Sequence, residues 1–327
     1  MDSLFFMHSL KMLRYLIAWR VNTSLVRLPI NFSAVLSKTL GNAIADLLST
    51  KDSRQWRKSI DIERQQQFNA STIQPDNYPE SLWPIHAILL PHTLKRNYGV
   101  NEIILWELKL LGDSADHGFF LETILPAMEQ LSCGEIPDRR SRINVWGHFD
   151  IHNIWIANGN VWDPLISDGN LNLRYHPKLL QWKSHINEQT YCKEMTKRKR
   201  LVFIRPFAFD HENISHIKDQ FLPDMSKIIE SVIRRWSFFT SGNIKQDLWD
   251  LVPPSIIVEV RKAWETSCMM RIHSSLISPA LNDEPGSWKG ELMYEEIPFF
   301  LLPYLDMASI IHIGKKTHYG CGTFTMC

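Results

Sequence analysis

Residues 312–327 read HIGKKTHYGCGTFTMC, and this tail governs how the rest of the chain is understood. Three of the 14 glycines, Gly314, Gly320 and Gly322, fall here, interleaved with Lys315, Lys316, Thr317 and His318. Glycine admits positive φ and lets backbone N–H groups approach a ligand without a Cβ in the way, so glycines alternating with cations suit a phosphate backbone. The plainer account is a tight turn joining PYLDMASII to GTFTM. A Walker A loop is excluded, because the G-K-[ST] arrangement with its four-residue spacer is missing.

Working outward, MLRYLIAWRV (12–21) predicts a strand, and NFSAVLSKTLGNAIADLLS (31–49) predicts a helix with Val35, Leu36, Leu40, Ile44, Leu47 and Leu48 at helical spacing. Residues 50–82 are polar without a sustained period and read as a long loop or insertion. EIILWELKLLG (102–112) predicts a strand, 117–133 a helix, and 139–157 a strand ending in FDIHNIWIA. Residues 157–199 read as a turn-rich linker. A second module is expected over 200–327: strand LVFIRPFAF (201–209), a helix within 214–240 broken or started at Pro223, strands at IIVEVRKAWE (256–265) and GELMYEEI (290–297), and a last helix in PFFLLPYLDMASII (298–311). Both halves, 1–156 and 200–327, thus show β-α-β-β-α-β order. The expected class is α+β, with tandem ferredoxin-like domains closed by a glycine-rich loop.

The 36 Lys and Arg balance 35 Asp and Glu, giving a net charge of +1. No global basic field marks the chain as a nonspecific nucleic-acid binder, so an anion site must come from local clustering. Cys133, Cys192, Cys268, Cys321 and Cys327 make no zinc-ligand spacing, and their odd count argues against a disulfide framework and for reduced thiols. The apolar N-terminal stretch is interrupted by Lys11 and Arg14 and reads as neither signal peptide nor membrane span. A soluble, cytoplasmic chain with no membrane partner and no cofactor is expected.

Other candidates are local. Lys197, Arg198, Lys199 and Arg200 form a basic run, and Lys95 and Arg96 beside Tyr98 pair cation with aromatic, both compatible with RNA. Histidine is the usual general base near neutral pH; His86, His92 and His318 are the catalytic candidates. His148, Asp150 and His152 would share one face of a strand, where two imidazoles and a carboxylate suit a metal. A solvated polar face accounts for the alternation more simply, and no metal is assigned.

The tail resembles the C-terminal glycine-rich loop of CRISPR-associated repeat-processing endoribonucleases of the repeat-associated mysterious protein (RAMP) superfamily. His312, Ile313, Gly314, Lys315, Thr317, Gly320, Cys321 and Gly322 occupy that loop's places. GSWKGELMYEEIPFFLLPYLDMASI is similar to the strand and helix before the loop, LPINFSAVLSKTLGNAIADLL to the first helix, and residues 97–134 to the central strand and helix. The resemblance implies a tandem ferredoxin-like fold, binding to CRISPR repeat RNA or mature crRNA, and association with other subunits of a CRISPR effector complex. It implies metal-independent attack of a ribose 2′-OH on the adjacent phosphate, giving a 2′,3′-cyclic phosphate. Relatives commonly carry the catalytic histidine soon after the first helix, whereas no histidine lies between Asn31 and Trp83 here. A catalytically silent crRNA-binding subunit is therefore the alternative, and a backbone-forming subunit of the same superfamily a third.

Overall fold

Alternation in MLRYLIAWRV builds the middle of the first sheet. Strand β1 (Met12–Val21) buries Leu13, Tyr15, Ile17, Trp19 and Val21 on one face, as a period of two requires. The computed structural model describes residues 9–68, 83–92, 95–134, 145–179, 199–209, 222–242 and 247–327. After β1 come β2 (Leu25–Arg27), α1 (Phe32–Leu47), α2 (Thr50–Phe68), β3 (Ala87–Pro91), β4 (Asn97–Gly99) and β5 (Ile103–Leu111). A helical run follows, made of α3 (His117–Phe119), a π-helical turn (Phe120–Ile124) and α4 (Leu125–Ser132), and then β6 (Phe149–Asn158), β7 (Val161–Ser167) and β8 (Asn170–Leu171).

The sheet order is β3-β5-β1-β6-β7-β8, with every pairing antiparallel. Without β7 and β8, four strands remain, linked by helical crossovers after the first and third, which together hold the centre. That is the ferredoxin-like arrangement. Trp19 stacks on Phe149 at 4.0 Å between ring centroids and meets Trp106 edge-on at 5.2 Å, both tryptophans being fully buried in this core.

The second half repeats the order with β9 (Arg200–Phe203), α5 (Met225–Ser241), α6 (Ile257–Met269), β10 (Ile272–Pro279), β11 (Trp288–Tyr294), α7 (Leu302–Ile311) and β12 (Phe324–Met326). Its sheet runs β10-β11-β9-β12, the same permutation. The fold is therefore tandem ferredoxin-like α+β. The chain divides into one unit of Lys11–Ile73 with Ser81–Gln181 and another that contains Trp182–Cys327.

Four expectations change. The polar stretch from residue 50 is helical to Phe68: Ser49 starts α2 by exchanging hydrogen bonds with Asp52, and within residues 50–60 Trp56 and Ile60, one turn apart, are buried amid exposed polar residues that hide the helical period. Residues 69–82 lie outside the described residues. Residues 157–171 look turn-rich because they form hairpins: β7 and β8 extend the first sheet to Leu171, turning at Gly159 (φ 66°) and at Asp168 and Gly169 (φ 49° and 78°), while residues 180–198 of the expected linker lie outside the described residues. IIVEVRKAWE is helix, not strand, because burial falls on Val260, Ala263 and Ser267 at helical spacing despite the β-branched run; the second strand of this module is β10. Finally, the first sheet's register shifts between Ala18 and Trp19, pairing Trp19 with Ile151 and Ala18 with Asn153. His152 is the extra residue of that β-bulge, which breaks the face that His148, Asp150 and His152 would have shared.

Candidate functional site

The glycine-rich loop grows out of the end of α7. His312 takes φ 61° and ψ 159°, a region that only glycine occupies readily. Gly314, Gly320 and Gly322 follow at φ 76°, 82° and 75°, with Lys316 also left-handed at 55°. A Cβ on Gly314 would lie 2.2 Å from the Ala208 carbonyl oxygen, and one on Gly322 would lie 1.8 Å from that of Ile313. These two glycines thus serve close backbone packing, and their N–H groups are used inside the fold. Gly314 N–H donates to Ser231 Oγ (3.2 Å) and Gly322 N–H to the Pro206 carbonyl (3.0 Å), while Lys315 N–H donates to the Ala208 carbonyl (2.8 Å). What the loop offers outward is cationic: Lys315 is half-buried and Lys316 exposed.

Between them and Gly320, Thr317–Tyr319 forms a 3-10 turn closed by Tyr319 N–H to the Lys316 carbonyl (3.0 Å) and Gly320 N–H to that of Thr317 (2.9 Å). Thr317 and His318 are buried, His318 at 1% exposure with its ring edge-on to Tyr319. The loop is fastened at both ends. His312 Nδ1 donates to the Cys321 carbonyl at 3.0 Å, and Thr323 Oγ1 donates to the Ser309 carbonyl at 2.8 Å. Arg235 on α5 donates from Nε (3.2 Å) and Nη2 (2.9 Å) to the Ile311 carbonyl.

Of the other histidines, His86 is half-buried, its backbone tied to Ser114 Oγ (2.9 Å) and Leu111 (3.0 Å). His92, just past β3, is 35% exposed, and its Nε2 lies 3.4 Å from Glu107 Oε2. Glu107 and Lys109 alternate with Ile104, Trp106, Leu108 and Leu110 along β5, so they point away from that unit's apolar core; both are nonetheless buried. Arg14, opposite Lys109 in the register, donates to Glu107 Oε1 at 2.6 Å and lies 5.1 Å over the Trp162 ring. Burial opposes charge on Glu107, but Lys109, Arg14 and the His92 hydrogen bond together hold its carboxyl far below the usual range. One carboxylate cannot serve two cations equally: burial, aided by Arg14, pushes Lys109 down to about 8 against the pull of Glu107. A buried anion thus orients a partly exposed imidazole, the relation a general base needs.

The remaining candidates are engaged in ordinary pairs. Lys95 pairs with Glu102 and lies 5.3 Å over the Tyr98 ring; Arg96 Nε approaches the Leu28 carbonyl at 3.5 Å. Arg200 pairs with Glu291 at 3.3 Å, and Lys199 N–H donates to the Cys327 carbonyl at 3.0 Å. Lys197 and Arg198 lie outside the described residues. Asp150 is taken by Asn22 (2.9 Å) and Arg20 (3.6 Å), and no group of three metal-ligating side chains occurs among the described residues. The sequence reading missed Glu107, Lys109 and Arg235, each a charged residue inside an apolar pattern. It also missed the 2.9 Å hydrogen bond from Tyr15 to His117 Nδ1.

Residues 201–324 match the family model of the CRISPR-associated endoribonuclease Cas6, the family read from the tail. The solved structure titled "Partial Cas6-RT-Cas1--Cas2 complex" aligns at 9% identity and TM-score 0.53 over 97% of this chain and 46% of that chain. The fuller Cas6-RT-Cas1--Cas2 complex gives the same identity and TM-score over 97% of this chain and 29% of that one. The chain thus spans less than half of either, and the likeness is one of fold. A Cas6 product complex aligns at 14% identity and TM-score 0.48 over 97% and 99% of the two chains. No curated protein matches. Among the described residues, no helix is long and apolar enough to cross a membrane.

Proposed function

We propose that this chain binds the repeat-derived RNA of a CRISPR array through loop 312–322 and cuts it without a metal ion. The observation that carries the reading is the loop. Two glycines are consumed in backbone packing so that Lys315 and Lys316 stand outward, within the span that matches the Cas6 family model. For cleavage, His92 is the strongest of the three histidines, being accessible and held by Glu107. In this role the imidazole removes the proton from a ribose 2′-OH, and the oxygen attacks the adjacent phosphorus. The P–O5′ bond breaks as the 5′ oxygen takes up a proton, leaving a 2′,3′-cyclic phosphate and a 5′-OH. Partners in this reading are repeat RNA or crRNA and further CRISPR protein subunits.

Incubation of the full chain with repeat RNA in EDTA tests cleavage. Wild type is expected to yield the cyclic phosphate, and His92→Ala to lower the rate by about 10²-fold or more. Equal rates for both would remove His92 from the mechanism. A second reading, a catalytically silent crRNA-binding subunit, is favoured by the burial of His318 and by the absence of any histidine between Asn31 and Trp83. It predicts tight binding with no product under any condition.

A further inference from the structure

Sheet order leaves β10 at one edge of the second module's sheet, hydrogen-bonded on one side to β11 and on the other to nothing among the described residues. Natural edge strands are blunted by charges, proline, a bulge or a cover. Here the bulge lies between Ile272 and Ser274 and the proline is Pro279, so both devices sit at the ends. The middle, Ser274–Ser278, holds no Lys, Arg, Asp or Glu, and every residue of it but Ile277 is exposed, Leu276 at 73%.

Which backbone groups face outward follows from the pairing. Tyr294 N–H donates to the Lys199 carbonyl (2.8 Å), and Trp288 exchanges bonds with Phe207 (2.7 and 3.0 Å), so the even-numbered residues of β11 turn their bonds toward β9. Bonds alternate sides along an antiparallel strand. The odd-numbered Lys289, Glu291 and Met293 therefore bond to their opposites on β10, namely Ser278, Leu276 and Ser274. Ala280 N–H, which donates to the Ser287 carbonyl at 2.9 Å, continues that series. The N–H and C=O groups of Ser275 and Ile277 are left pointing at the open edge.

A second β10 laid antiparallel and centred on Leu276 sets Ser275 opposite Ile277 of the other copy, and Ile277 opposite its Ser275. Each then uses the outward groups that it already presents. Leu276 meets its own counterpart in the non-hydrogen-bonded position between them, where Cβ atoms come within about 4.5–5.5 Å. The ends match in charge. Arg271, just before the strand, and Asp283, in the turn after it, are both exposed, and neither forms an ion pair among the described residues. This register brings Arg271 opposite Leu281 of the other copy, two residues from that copy's Asp283.

We propose that β10 is a self-association edge: two copies of this chain join their four-stranded sheets into one of twice that width, about a two-fold axis at Leu276. Isologous pairing uses up both edges and closes at two copies. One pair of strands is small for a specific interface, so the dimer is reversible at micromolar concentration.

Sedimentation velocity of the full chain, with thermal melts of each variant, tests this. Wild type is expected to run as a monomer near about 1 μM and as a dimer near about 100 μM. Leu276→Lys, which sets like charges across the axis, is expected to weaken dimerisation about tenfold or more with little change in melting temperature. Ser275→Pro removes an N–H that has no use within the chain and should do the same. Arg271→Asp should weaken the dimer, and Arg271→Asp with Asp283→Arg should restore it, because each copy then carries the exchanged pair. If Ser275→Pro lowers the melting temperature, the charge exchange at two exposed positions decides the matter. A wild type that stays monomeric at about 100 μM, assemblies that grow past two copies, or variants that all dimerise like wild type overturn the proposal. So does a monomeric wild type whose binding of repeat RNA is lost in Leu276→Lys, an outcome that assigns the edge to RNA.

Discussion

His312 Nδ1 lies 3.0 Å from the carbonyl oxygen of Cys321, tying the first residue of the loop to the second last. A carbonyl accepts, so Nδ1 carries the proton. His312→Ala removes this buried hydrogen bond and is expected to cost about 1 kcal/mol in denaturant unfolding. The backbone at φ 61° and ψ 159° adds a second, less intuitive expectation. His312→Gly loses the same hydrogen bond but relieves the strain, and should be about 1 kcal/mol more stable than His312→Ala. Alanine matching or exceeding glycine would show that the strain is negligible.

Gly314 and Gly322 are expected to tolerate no side chain. Alanine at either must adopt positive φ and bring a Cβ to 2.2 Å or 1.8 Å from a carbonyl oxygen. The left-handed conformation costs about 1–2 kcal/mol and the overpacking about 1–3 more, so each variant should lose about 2–5 kcal/mol and loosen the loop. Gly242, left-handed at φ 66° with open space around its Cβ position, is the control. Gly242→Ala should lose only the conformational part. Similar losses at all three positions would deny the close approach its role.

Much of this fold is legible in the sequence where one face of an element is apolar and the other polar, as along β1 and α1. α2 escapes notice because, over residues 50–60, the buried Trp56 and Ile60 are set among charged and polar residues that blur the helical period. α6 misleads because Ile256, Ile257, Val258 and Val260 satisfy a strand's composition, while the buried positions follow a helix. The loop's glycines and lysines stand out in the sequence, although their spacing alone is met as well by a tight turn. Arg235 and the Glu107–Lys109 pair do not stand out, since a charge within an apolar run gives no sign of what it meets across the fold.

Glu107 lies between two cations, Arg14 and Lys109, and the two ends of that arrangement should respond oppositely to mutation. Glu107→Gln strands buried cations and is expected to cost about 3–5 kcal/mol. Lys109→Met leaves the Arg14–Glu107 pair in place and should be neutral or stabilising at neutral pH. The lysine also sets a pH dependence. Its folded value is about 8 against an ordinary 10.5, so between these the unfolded chain holds more protons and stability rises with pH. Denaturant midpoints measured across that window should rise in wild type relative to Lys109→Met, the buried tyrosines acting equally on both. Parallel profiles would mean that Lys109 titrates as it would in water.

Tyr15, fully buried in the first unit, donates its hydroxyl to His117 Nδ1 at 2.9 Å. Burial raises the phenol's pKa, keeping it a donor. For His117, burial is the largest influence and His176 adds repulsion; together they outweigh Asp116 and lower the imidazole below its ordinary 6.5. The folded chain therefore resists protonation that the unfolded chain accepts, so stability is complete above 6.5 and falls as the pH drops from there toward the lowered folded value. His117→Gln, which keeps an acceptor for Tyr15 without a titrating group, should lose less stability than wild type between about pH 7 and pH 5. Tyr15→Phe should cost about 1 kcal/mol through the lost hydrogen bond at both pH values. An acid loss that survives His117→Gln in full would place the titrating group elsewhere.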